Sequence, residues 1–269
     1  MTKHLLAGEN IALCTNRQVN GDFRHVFCTK LIATDSTVST ATKERTYLFP
    51  LYQYTNGELP GLHDNVRNSS LSDKCVADFA ARLKMKFISD GGGDRRKTFG
   101  PEDVFAYLYA MLHSQAYRER FSEFLRSDFP RIPLTSNASL FRSLCDLGEQ
   151  LIAQHTLEGA GPPTTEFPVK GDDRIEVVRY SMPGEDGVKK GRTWINEAQF
   201  FEGVRPEIWD THVGGFQVCE KWLKDRKGLK LSWDDVQYYE GIISALEQTR
   251  QLVPKIDAAI EGSGGWPLR

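Results

Sequence analysis

"GGFQVCEKWLKDRKG", residues 214–228, places a cysteine, a tryptophan and the cations Lys221, Lys224, Arg226 and Lys227 within one short span. Three readings compete: a catalytic loop, a nucleic-acid-binding helix, and an amphipathic helix with a charged outer face. Phe216, Cys219, Trp222 and Leu223 fall at i, i+3, i+6 and i+7, the spacing of a single apolar stripe. Glu220, Lys221, Lys224, Asp225 and Lys227 take the other side. The spacing predicts a core-packed helix closed by Gly228, with Cys219 as a small buried hydrophobe. The following "SWDDVQYYEGIISALEQTRQLVPKI" predicts a last helix opened by a Ser232–Asp235 capping box. The short "GLKL" connector makes the two helices antiparallel neighbours.

Working outward, residues 10–56 read as β: "NIALC", "HVFCTKLIA" and "TYLFPLYQY" are short and rich in β-branched and aromatic residues. The connector "DSTVSTATKER" is polar and predicts an exposed loop. "SLSDKCVADFAARLKMKF" turns helical with Ser72 as N-cap. "SDGGGDRRKTFG" reads as a flexible linker. Pro101, Glu102 and Asp103 then open a helical stretch that resets near Ser114 and runs to Phe129. A further helix carries Leu140, Leu144, Leu147 and Leu151 on one face and ends at Gly159. A small β insert follows in "RIEVVRY" and "GRTWINEAQF". The order predicts an α+β fold: a β-rich portion over 1–90, a helical portion over 91–160, and a β insert with C-terminal helices over 161–269, all packed as one module.

The chain has 269 residues, 40% of them hydrophobic and 26% charged, with a net charge of −2. That charge argues against binding a polyanion over the whole surface, but it leaves room for a local basic groove. No apolar run approaches the ~20 residues that span a bilayer. The five scattered cysteines fit reduced thiols in a cytoplasm.

The usual catalytic signatures are missing. "GGGDRRK" lacks the Lys-Ser/Thr of a phosphate loop, and there is no G-x-S-x-G, H-E-x-x-H or C-x-x-C. The cysteines and histidines do not suggest a zinc site. Asp225 to Lys227 could form half of a metal-dependent nuclease with Asp210, a short pattern that arises readily by chance. No catalytic residue and no metal ligand is assigned.

Three stretches, "NIALCTNRQVNGDFRHVFCTKLI…YLFPLYQY", "DVFAYLYAMLHSQAYRERFSEFLRSDFPRIP" and "WINEAQFFEGVRPEIWDTHVGGFQVCEKWLKDRKG" with "LSWDDVQYYEGII", together resemble the C-terminal specificity region of Type ISP restriction–modification enzymes. Related N6-adenine DNA methyltransferases carry similar regions. The resemblance covers nearly the whole chain in the expected order. It implies a DNA target-recognition module without its own catalytic centre. Its partners would be double-stranded DNA and the methyltransferase part of the same or another polypeptide, in a bacterial cytoplasm. S-adenosylmethionine, ATP and magnesium would belong to upstream parts of the parent enzyme.

The residues supply compatible chemistry. Base edges are read by Arg to guanine and by Asn or Gln to adenine. "TNRQVNGDFR" gathers Asn16, Arg17, Gln18, Asn20 and Arg24 beside a predicted turn, and Lys43 and Arg45 flank a second loop. Asn16, Arg17, Gln18, Lys43 and Arg45 are the expected base readers. Arg24, Arg95, Arg96, Lys97, Lys224 and Lys227 are the expected phosphate contacts. A helical scaffold module that never touches DNA, and a nuclease built on Asp210 and Asp225, are the alternatives.

Overall fold

Strand β1 (Ala12–Asn16) pairs antiparallel with β2 (Phe27–Thr29) on one side and β3 (Thr46–Pro50) on the other. A hairpin of β4 (Tyr52–Thr55) and β5 (Val66–Ser69) follows. The amide of Asn10 ties this region to the short helix α1 (Lys3–Leu6), donating to the His4 and Tyr52 carbonyls at 2.9 and 2.8 Å. The computed structural model describes residues 3–24, 26–34, 37, 44–55, 66–159, 161–213 and 216–268.

Helix α2 (Asp73–Leu83) starts where expected, with the Ser72 hydroxyl accepting from the Cys75 amide. The parallel pair β6 (Lys86–Phe87) and β7 (Thr98–Phe99) brackets the glycine-rich stretch, so this is no flexible linker. Helix α3 (Pro101–His113) has proline at its first position, and Ser114 divides it from α4 (Gln115–Arg120). Next, α5 (Ser122–Ser127) stops two residues short of the expected Phe129. Helix α6 (Ala138–His155) buries Leu140, Leu144 and Leu151 as predicted, and Phe141, Cys145 and Gly148 complete its inner face. It ends before Gly159, because Leu157 takes the left-handed conformation at φ 58°.

Chain contacts divide the protein into two compact units, residues 1–156 with 251–269, and residues 157–250. The expected portions 1–90 and 91–160 thus share essentially one unit, while the expected last portion is split between both. The first unit's core joins Phe79, Phe99, Tyr107 and Phe141, whose rings meet at 5.5–6.4 Å.

In the second unit, β8 (Arg179–Ser181), β9 (Arg192–Trp194) and β10 (Phe200–Glu202) form an antiparallel sheet of order β10–β9–β8. After the one-turn α7 (Pro206–Trp209), strands β11 (His212–Val213) and β12 (Phe216–Gln217) pair. Helix α8 (Val218–Lys224) leads to the last helix, α9 (Trp233–Gly262).

The opening stretch is therefore shorter as a helix than its stripe predicts. Phe216 lies in β12 and is 39% exposed, because pairing with β11 holds it in strand geometry. The Gln217 side chain then caps α8 by accepting from the Glu220 amide. Cys219 and Leu223 are fully buried beside Tyr239 and Ile243, and the Tyr239 hydroxyl donates to the Cys219 carbonyl at 3.2 Å. Trp222 is half-buried against Tyr238 and Tyr239. Gly228 has φ +86° and ends the turn after α8. The Ser232–Asp235 capping box is present, with reciprocal bonds of 2.9 and 3.1 Å.

Helix α9 runs through Pro254, in line with the single last helix read from the sequence, and continues to Gly262. Leu252, Ile256 and Ile260 bury one face of it in the first core. At ~1.5–3 kcal/mol each, they offset the ~3 kcal/mol that an interior proline costs.

Candidate nucleic-acid interface

The stretch from Asn16 to Arg24 is the first place where the sequence predicts DNA contact. It is an ordered loop docked on the end of α5. The Val19 amide donates to the Arg126 carbonyl at 3.2 Å, and Arg126 returns bonds to the Gly21 carbonyl and the Asp22 carboxylate. Gln18 donates to the Ser127 carbonyl at 3.3 Å. Arg17 pairs with Asp128 at 3.1 Å and lies over the Phe129 ring. Arg24 pairs with Asp22 at 2.7 Å. The hydrogen bond from Arg24, then that from Arg126, holds the Asp22 carboxyl below the usual range. The Phe129 amide, then Arg17, does the same for Asp128.

Asn16 sits differently from its neighbours. It is buried, and its amide donates to Glu44, whose other oxygen accepts from the Asn20 amide. Asn16 is therefore a strut of the loop, beneath the exposed Arg17 and Gln18. Glu44 is the organiser that sequence reasoning missed; only its place in the polar "KER" run could have signalled it. Lys43 lies outside the described residues. Arg45 is exposed, with no hydrogen bond or ion pair among the described residues.

The glycine-rich stretch is the second place. Here the Asp94 carboxylate accepts from the amides of Arg96, Lys97 and Thr98 at 2.7–3.0 Å, and those bonds lower its pKa. The turn so fixed leaves the Arg96 and Lys97 side chains exposed and without ion pairs among the described residues. Arg95 points elsewhere. It sits at φ 54° and bonds Asp103 at 2.5 Å, Asp146 at 2.5 Å, and Glu149. Burial opposes its charge, but the hydrogen bonds it donates to Asp103 and Glu149 outweigh that and raise its pKa. Its side chain is only 17% exposed and engages three carboxylates, so Arg95 holds the loop to α3 and α6.

On α8, Lys224 pairs with Glu220 at 2.9 Å, and Lys227 is exposed with no such partner among the described residues. Asp225, the anchor of the nuclease alternative, gives its carboxylate to Lys221. Among the described residues no three His, Cys, Asp or Glu side chains stand together as metal ligands would. The same residues include no helix long and apolar enough to cross a membrane. No disulfide joins any two of the five cysteines. A cavity of about 870 Å³ in the first unit is walled largely by apolar side chains such as Leu13, Phe49, Phe79 and Phe105, with Gln53, Lys74 and Asp78 also lining it.

Three solved structures share the fold. The Type ISP restriction–modification enzyme LlaBIII bound to DNA matches with a TM-score of 0.67 and 16% identity over 93% of this chain. A nuclease-deletion mutant of the Type ISP enzyme LlaGI, in complex with a DNA substrate mimic, gives 0.61 and 16% over 93%. The DrdV–DNA complex gives 0.64 and 19% over 94%. This chain spans 16%, 21% and 24% of those chains, respectively. No curated protein matches it. The Type ISP C-terminal specificity domain model matches residues 1–255, and the chain belongs to that family.

Proposed function

We propose that the chain is the DNA target-recognition module of an adenine-specific DNA methyltransferase or restriction–modification enzyme. The observation that carries this reading is membership of the specificity-domain family over residues 1–255. The two ordered loops of the first unit, together with Arg45 just before β3, supply the chemistry. Arg45, Arg96 and Lys97 present charge with no carboxylate to satisfy it among the described residues. Arg24 is held by an exposed ion pair, and Arg17 by another together with its seat over Phe129. Such pairs contribute ~0–1 kcal/mol, so a phosphate or a guanine edge can take over either guanidinium. Arg17, Gln18, Lys43 and Arg45 are the base-reading candidates; Arg24, Arg96, Lys97, Lys224 and Lys227 are the phosphate candidates.

The methyltransferase part of the parent enzyme is the partner, in a bacterial cytoplasm. S-adenosylmethionine, ATP and magnesium act in parts upstream of this chain.

Salt-titrated binding to duplex DNA tests the reading. Log affinity should fall linearly with log salt, at a slope of about −0.9 per neutralised phosphate. Arg45→Ala should cost about 1–3 kcal/mol and relax preference at one base pair, whereas Arg96→Ala should weaken all sequences alike. Absence of binding at low salt would favour the scaffold alternative.

A further inference from the structure

The sheet of the second unit has two unlike faces. Tyr180, Thr193 and Phe201 stand in register across β8, β9 and β10; Thr193 and Phe201 are fully buried, and Phe201 and Tyr180 belong to the second core. Alternation sends the next residues to the other side. There Arg179, Trp194 and Phe200 form one row, and Ser181, Arg192 and Glu202 form the other.

That outer face is built of guanidinium and aromatic groups. Arg179 lies 4.0 Å over the Trp194 ring, and Arg192 lies 4.1 Å over Phe200. Trp194 donates to the Ser181 hydroxyl at 3.0 Å, which fixes the indole. Arg192 is satisfied by Glu202 at 2.7 Å, but Arg179 has no carboxylate partner among the described residues.

The connection from β8 to β9 continues the pattern. Its backbone is pinned by the Gly184 amide to the Val188 carbonyl at 2.7 Å and the Val188 amide to the Glu185 carbonyl at 2.8 Å. Gly184 and Gly187 supply φ +97° and +75°, which the turn needs. Val188 is buried, and Lys189 and Lys190 beside it are exposed with no ion pair among the described residues. Lys221, Lys224, Arg174, Arg205 and Lys230 of the same unit all have carboxylate partners. Of the six cations of this unit with no carboxylate partner among the described residues, Arg179, Lys189 and Lys190 lie in this hairpin, and Lys170, Lys227 and Arg250 are spread over the rest.

We propose that the β8–β9 hairpin is a second DNA contact, in which Lys189, Lys190 and the Trp-stacked Arg179 grip the phosphodiester backbone of duplex DNA. The β8–β9 turn projects from the edge of the three-stranded sheet, and ordered backbone with unpaired cations costs little to bring to phosphate. The inference rests on the DNA-recognition reading and adds a surface to it. Lysine and a stacked arginine at a ribbon bond phosphate without naming a base, so the hairpin contributes affinity and not sequence preference.

The test compares the whole chain with Lys189→Ala/Lys190→Ala by salt-titrated binding to a fixed duplex and to a scrambled one. Both substitutions lie on exposed positions, and circular dichroism confirms the fold. Loss of two phosphate contacts should make the salt slope shallower by about 1.8 and weaken both duplexes by the same factor. Arg179→Lys, which keeps the charge and loses the planar stack, should weaken both duplexes while leaving the slope unchanged. An unaltered slope and affinity in the double variant, with the parent chain still binding, overturns the hairpin contact alone. Failure of the parent chain to bind overturns the DNA reading, and the hairpin contact with it.

Discussion

Asp103 has no exposed surface, yet its carboxylate is shared by three donors: the Gly93 amide at 2.6 Å, the Gly100 amide at 2.8 Å and Arg95 at 2.5 Å. It closes the glycine-rich loop on the start of α3. Removing one member of a buried pair leaves the other uncompensated, so Asp103→Ala should destabilise the first unit by about 3–5 kcal/mol in urea unfolding. The loop amides would lose their protection from hydrogen exchange at the same time. Two histidines set a second residue-scale expectation. His113 is buried and His155 half-buried, with rings 5.3 Å apart, and the Tyr109 hydroxyl meets His155 Nδ1 at 2.5 Å. Burial, then the Arg118 charge, pushes His155 down to about 4 and His113 well below its ordinary value. Both stay neutral in the fold, while the unfolded chain binds protons below about pH 6.5. Stability is therefore full above pH 6.5 and falls as the pH drops toward 4, by roughly 1.4 kcal/mol per unit for His155. Unfolding midpoints that stay level between pH 7 and pH 5 would refute this.

Helices α3 and α6 approach so closely that a Cβ at Gly148 would overlap the Ala106 carbonyl. At Gly241 of α9 a Cβ meets nothing within 4 Å. The same Gly→Ala change should thus have opposite signs. Gly241→Ala should stabilise by about 0.5–1 kcal/mol through helix propensity, and Gly148→Ala should destabilise by about 1–3 kcal/mol through overpacking. Thermal unfolding of the two variants reads both signs. Trp222, half-buried between Tyr238, Tyr239 and Arg226, should cost about 2–3 kcal/mol on truncation to alanine, below the 3–5 of a fully enclosed aromatic. These elements also show what the sequence could convey. Ser72, Pro101 and the Ser232–Asp235 box were legible, because a cap is settled within four residues. Phe216 was misplaced because β12 forms only by pairing with β11, a contact that a helical stripe cannot register. The site was less legible than the fold. Arg95 and Arg96 look alike as neighbours in a basic run. What separates them is a pair of carboxylates, Asp146 and Glu149, about fifty positions along the chain.

At the scale of the molecule there are two cores with no residue in common. Each unit should therefore respond to damage in its own core. Ile243→Ala, at a fully buried position of the second core, should cost about 2–5 kcal/mol. Hydrogen exchange should then rise across 157–250 while α3 and α6 keep their protection. Uniform loss of protection in both units would mean that they unfold as one.

Helix α9 gives its closing turns to the first unit. Leu252, Ile256 and Ile260 fill that core, and Asp257 accepts from the Ser114 hydroxyl at 2.5 Å and the Gln115 amide at 3.1 Å at the start of α4. Trp266 packs on Tyr117 and Phe121. A ribosome makes the rest of that unit first, and at ~5–20 residues per second it spends several seconds on 157–250 before these side chains emerge. Residues 1–156 thus wait for their own unit to be completed, and for that interval the apolar seat for α9 stands open to chaperones and to neighbouring nascent chains.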